Sequence, residues 1–112
     1  MSNVQLSRDA DYLICLIYKN YLNLRNSGIS KAKAKSLGDS PDINSNIVPK
    51  WSLEDTEDTC KELIRKGFLN NNPYIHLRCG DMSLSDEGII YMENRFKNNI
   101  KELTDFITKF IP

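Results

Sequence analysis

One histidine and three cysteines are the side chains best suited to metal or nucleophilic chemistry. His76 and Cys79 stand three apart, while Cys15 and Cys60 are remote from them in sequence. Zinc takes four ligands, and candidates scattered over separate elements do not make that set. A catalytic Cys or Ser would need His76 as its base and a carboxylate to orient the ring, and no spacing supplies both. Cys15 and Cys60 fall inside apolar helical patterns, where a free thiol behaves as a small buried hydrophobe. The chain therefore points to no enzyme, no metal and no cofactor. An odd number of cysteines without a close pair is the usage of a reducing cytoplasm, not of a disulfide scaffold.

Positive charge is the other chemistry on offer. Fifteen Lys and Arg balance fifteen Asp and Glu, so there is no bulk polycation. The balance is uneven along the chain. Residues 1–50 carry seven bases against four acids, and residues 51–112 carry eight against eleven. Lys31, Lys33, Lys35 and Lys50 can hold backbone phosphates, Lys61 and Arg65 lie one helical turn apart, and Arg78 follows close behind His76. A solvated face is the plainer use of such a lysine run.

The elements that must position these residues are legible from periodicity. Apolar residues at Ala10, Leu13, Ile14, Ile17, Tyr21 and Leu24 mark a core helix over Ser7–Ser27, with Ser7 as cap and Gly28 as stop. Ser30 to Gly38 reads as a short second helix with Ser30 as its cap. Asp39–Lys50 is a polar connection in which Ser40-Pro41 can open one extra helical turn. Ser52 and Asp55 resemble a capping box at the start of a third helix, whose inner stripe is Thr56, Cys60, Leu63 and Ile64. Trp51 before that cap suits a hydrophobic staple better than an interface anchor. Phe68-Leu69, Tyr74–Cys79 and Met82–Leu84 are short extended pieces separated by turn chemistry, forming a small hairpin sheet.

Ser85 caps a last helix predicted to run from Asp86 to about Phe110. Ile89, Phe96, Leu103 and Phe110 fall seven apart. At ~1.5 Å per residue it would exceed about 35 Å, longer than a domain of this size covers alone. Phe96, Ile100, Leu103, Phe106, Ile107 and Phe110 are thus expected to form a homodimer seam; folding back along Ser7–Ser27 is the alternative. Glu93, Glu102 and Asp105 argue against a membrane-lying helix, and no apolar run reaches the ~20 residues of a membrane span.

Taken in order, three helices, a wing and a helix over residues 1–112 make a mostly α, α+β single domain. The junction Leu63-Ile64-Arg65-Lys66-Gly67-Phe68-Leu69 and the return Leu84-Ser85-Asp86-Glu87-Gly88 resemble phrases of the winged helix-turn-helix superfamily. The chain is most similar to small uncharacterised bacterial and phage proteins of the YjcQ type. The resemblance implies a winged helix with a small β-hairpin wing and a long C-terminal helix spanning 86–111. It also implies double-stranded DNA as partner and a regulatory role, with the third helix in the major groove. The long 39–50 connection departs from the tight turn usual between the helices of that unit. The third helix also exposes Glu54 and Asp58 beside Lys61 and Arg65; with Asp55, Glu57 and Glu62 that is five acids against two bases. A module for protein contacts is the alternative that this acidity favours.

Overall fold

The computed structural model describes residues 5–72, 79–97 and 99–110. Helix α1 (Arg8–Asn26) starts where the Ser7 hydroxyl accepts from the Ala10 N–H, with Asp9 and Asp11 at the positive end of its dipole. Its Ala10, Leu13, Ile14, Cys15, Ile17 and Tyr18 have no exposed surface, so the helix is gripped from several sides. Gly28, at φ +89°, ends the run in the left-handed conformation that costs glycine least.

Helix α2 (Lys31–Lys35) is shorter than the periodicity predicts. Ser30 caps it as expected, but residues 36–38 leave the helix and become strand β1 (Ser36–Gly38). A five-residue helix closes few hydrogen bonds of its own, and pairing with a sheet satisfies the backbone of 36–38 better. The polar connection then yields the extra turn that Ser40-Pro41 suggested, now a helix α3 (Ser40–Asn46) with proline in its first turn. The Asp39 N–H donates to the Asp42 carboxylate at 2.9 Å, which closes this N-terminus.

Helix α4 (Leu53–Arg65) opens with the Ser52 hydroxyl accepting from the Asp55 N–H at 3.0 Å. Its buried stripe is Thr56, Thr59, Cys60 and Leu63. Strands β2 (Leu69–Asn70) and β3 (Met82–Leu84) pair antiparallel with Leu69 opposite Leu84. The third strand of the sheet is β1, so the order is β1–β3–β2. The strand expected over Tyr74–Cys79 lies, apart from Cys79, outside the described residues.

The C-terminal helix is corrected most. It divides into α5 (Asp86–Phe96) and α6 (Ile100–Thr108), so no single helix covers 86–111. Lys97 adopts a left-handed backbone (φ 50°, ψ 43°), and its N–H closes α5 onto the Glu93 carbonyl at 2.7 Å. Asn99 begins a new helix by accepting from the Glu102 N–H at 3.0 Å. The corner turns α6 back onto α1 and buries Leu103 and Ile107 in the chain's own core. Burying that stripe in the same chain outweighs the one or two helical hydrogen bonds lost at the break.

Candidate nucleic-acid interface

Helix α4 is held in place by an amide that sequence reading passed over. Asn44 of α3 donates from Nδ2 to the carbonyls of Val48 at 3.0 Å and Trp51 at 2.9 Å, and to Thr56 Oγ1 at 3.1 Å. One half-buried side chain thereby joins α3, the connecting turn and the first turn of α4. The only trace of it in the sequence is an asparagine between the apolar Ile43 and Ile47, where an inward-facing polar group needs partners. Trp51 packs against Tyr12 of α1, with ring centres 6.1 Å apart, so it joins α4 to α1 across the core, a contact different from the staple within α4 that its place before the cap suggested.

Opposite the buried stripe, α4 exposes Glu54, Asp58, Lys61 and Arg65 along one line, as their spacing of four, three and four requires. The acidity of this face is lower than the sequence count implies. Glu62 turns toward α1, where its carboxylate accepts from the Ser7 N–H at 2.8 Å and the Ser7 hydroxyl at 2.6 Å. Slight burial pushes its pKa up, but the bonds from Ser7 and the charges of Arg65 and Lys66 hold it below the usual carboxylate range. Glu57 lies 3.8 Å from Lys61 on the same helix. Leu53, Glu54, Glu57, Asp58 and Lys61 together line a shallow depression of about 390 Å³, and Leu53 is 40% exposed.

The remaining candidate cations are dispersed. Lys31 and Lys33 are exposed on α2, and Lys50 is exposed just before α4. Lys35 is committed to Asp86 at the start of α5, at 2.8 Å. That hydrogen bond and charge hold the Asp86 carboxyl below its ordinary range. Arg78, like His76, lies outside the described residues.

Of the six residues expected at a subunit seam, three are buried in the chain's own core and three are half-buried against it or its neighbours. Phe96, Leu103 and Ile107 are buried, and Ile100 packs partly buried on the same core. Phe106 stands 5.4 Å from both Phe96 and Phe110, and Phe110 lies 5.3 Å from Tyr12 of α1. Arg95 seals this side: its Nη1 donates to Asp11 Oδ1 at 2.6 Å, and its guanidinium lies 5.0 Å from the Phe106 ring centre and 5.1 Å from that of Phe96. Burial works against the charge of Arg95, and Asp11 more than offsets it, so its pKa is raised.

All three cysteines are free and buried. Burial pushes the Cys15 and Cys60 thiols up to about 12, and raises Cys79 as well, so none is an activated nucleophile at neutral pH. Among the described residues no three His, Cys, Asp or Glu side chains gather as a metal site, and no helix is long and apolar enough to cross a membrane. Compared with known proteins, the chain matches no family model, no curated protein and no solved structure.

Proposed function

We propose that the chain is a winged-helix DNA-binding protein of the transcriptional-regulator kind, with α4 entering the major groove and cations around it holding phosphates. The observation that carries this reading is one of arrangement. Two helices and a strand lead into α3 and α4, whose six-residue connection is tied by Asn44, and an antiparallel pair follows to which the first strand adds in the order β1–β3–β2. That succession is the one expected of a helix-turn-helix with a wing. The structure also gives a reason for the long connection: residues 39–50 contain α3, so the helix preceding α4 is α3 and not α2.

The contact set is Lys31, Lys33, Lys50, Lys61, Arg65 and Arg78, with Lys35 holding Asp86 as its first duty. The reading is made for a single chain, because Phe96, Leu103 and Ile107, expected to join a homodimer, are buried within it. Localisation in the cytoplasm belongs to the same proposal, with the free thiols as its support.

Fluorescence anisotropy of a generic duplex over a salt series tests it. Affinity should fall steeply with salt, and Lys31/Lys33/Lys35→Ala should reduce the logarithmic slope by about 2, since Lys31 and Lys33 each release roughly one counterion and Lys35 is engaged elsewhere. Absence of binding even at low salt would move the assignment to a module for protein contacts. The exposed Leu53 amid Glu54, Asp55 and Asp58 is the specific observation favouring that second reading.

A further inference from the structure

We propose that a cavity between the last turns of α1 and the end of α5 binds a small free α-amino acid. Arg25 and Tyr21 hold its carboxylate and Glu93 its ammonium. The inference stands on this cavity alone and does not depend on the DNA reading.

Tyr21, Leu22, Arg25 and Asn26 of α1 and Glu93 of α5 line a cavity of about 260 Å³. Tyr21 and Arg25 share one helical face, since side chains four apart lie one above the other. Tyr21 is only 7% exposed, and its ring stacks on Tyr18 with centres 6.2 Å apart. Its hydroxyl has no hydrogen-bond partner among the described residues. No fully buried side-chain oxygen or nitrogen among them lacks a partner, so the little surface that Tyr21 keeps includes this hydroxyl. The cavity is where it opens. A phenol this deeply packed ordinarily finds a partner. One turned unpaired into a cavity marks the place of a ligand group.

The charges around the cavity are also unspent. The left-handed turn at Gly28 carries the Ile29 carbonyl back over the end of α1, where it accepts from Arg25 Nη1 at 3.1 Å. That bond orients the guanidinium and leaves its other donors without a partner among the described residues. Glu93 is half-buried, and its carboxylate has no hydrogen bond or ion pair there either. Arg25 and Glu93 thus face one cavity without pairing with each other, an arrangement complementary to a ligand that carries both charges. A guanidinium takes a carboxylate through two parallel N–H bonds, and the Tyr21 hydroxyl on the same face adds a third donor. The Glu93 carboxylate only accepts, so the ammonium falls to it. The volume lies below the roughly 300–1,000 Å³ of sites for drug-sized ligands. With Leu22 as the apolar wall, the ligand side chain is small, as in alanine.

Titration of isotope-labelled protein with L-alanine, followed by amide NMR shifts, tests the site. L-alanine should bind with a Kd of about 1 mM and shift the amides of Leu22, Asn26 and Glu93. N-acetyl-L-alanine lacks the ammonium and L-alanine methyl ester lacks the carboxylate, so each should bind about tenfold more weakly. Tyr21→Phe keeps the ring stacking and should weaken L-alanine about fivefold. Glu93→Gln should weaken L-alanine about tenfold yet leave N-acetyl-L-alanine unchanged, which a merely structural role for Glu93 would not do. No shift of these amides at about twenty times that Kd overturns the inference. So does equal binding of all three compounds, or a Glu93→Gln variant that weakens them alike.

Discussion

Ser85 and Gly88 show how much a short sequence phrase can encode. The Ser85 hydroxyl donates to the Gly67 carbonyl at 2.6 Å and accepts from the Gly88 N–H at 2.9 Å, while its own N–H reaches the Phe68 carbonyl at 3.0 Å. One residue thus caps α5 and ties it to the end of α4. Gly88 is needed because a Cβ there would sit 2.6 Å from the Phe68 carbonyl oxygen and 3.1 Å from Leu84 Cδ1. Helix propensity alone makes Gly88→Ala stabilising by about 1 kcal/mol. The close approach reverses the sign, because the backbone oxygen cannot move aside without disturbing the β2–β3 pair. We expect a net loss of roughly 1–3 kcal/mol, read as a lower midpoint in urea; an unchanged or raised midpoint would show that the helix does not approach so closely. Asn44 belongs to the same scale but left a fainter mark. An asparagine in a polar stretch gives no sign of its partners, which are carbonyls brought together only once α3 and α4 meet.

At the scale of elements, amphipathic periodicity was a good guide to which residues are buried and a poor one to where helices stop. The stripes of α1 and α4 follow from apolar spacing, and the extended character of Phe68-Leu69 and Met82–Leu84 from the turn residues around them. Strand β1 was not legible: Ser36-Leu37-Gly38 has no strand pattern of its own, and its conformation comes from the free edge of β3. The division between α5 and α6 was hidden for a different reason. Phe96 and Leu103 keep a spacing of seven across the corner, so a heptad count runs through the break unaltered. What ends α5 is the left-handed Lys97, a conformation that costs a residue with a Cβ about 1 kcal/mol. Lys97→Gly should therefore stabilise the fold by roughly 0.5–1 kcal/mol. Within an unbroken helix the same substitution would cost about 1 kcal/mol. Urea unfolding of this variant thus distinguishes a corner from a continuous helix by sign alone.

For the whole molecule, the corner decides what the last apolar stripe is for. A single helix over 86–111 would project beyond the body and carry Leu103 to a partner. The folded chain instead measures 36 × 34 × 33 Å, and its radius of gyration of 13.2 Å leaves no room for a projecting arm. Leu103 has no exposed surface and sits between α6 and the rest of the core, with Ile107 one turn further on. Truncation to Leu103→Ala then opens a cavity in one chain and should cost roughly 2–5 kcal/mol. Because the lost contacts are intramolecular, the urea midpoints of both the variant and the wild type should stay fixed when protein concentration is raised about a hundredfold. A folded state held together by a seam through Leu103 behaves otherwise: by mass action its midpoint climbs with concentration, and the variant exaggerates the climb. A concentration-dependent midpoint would return Leu103 to a subunit interface and, with it, a second set of Lys31, Lys33 and Lys50 to the proposed DNA surface.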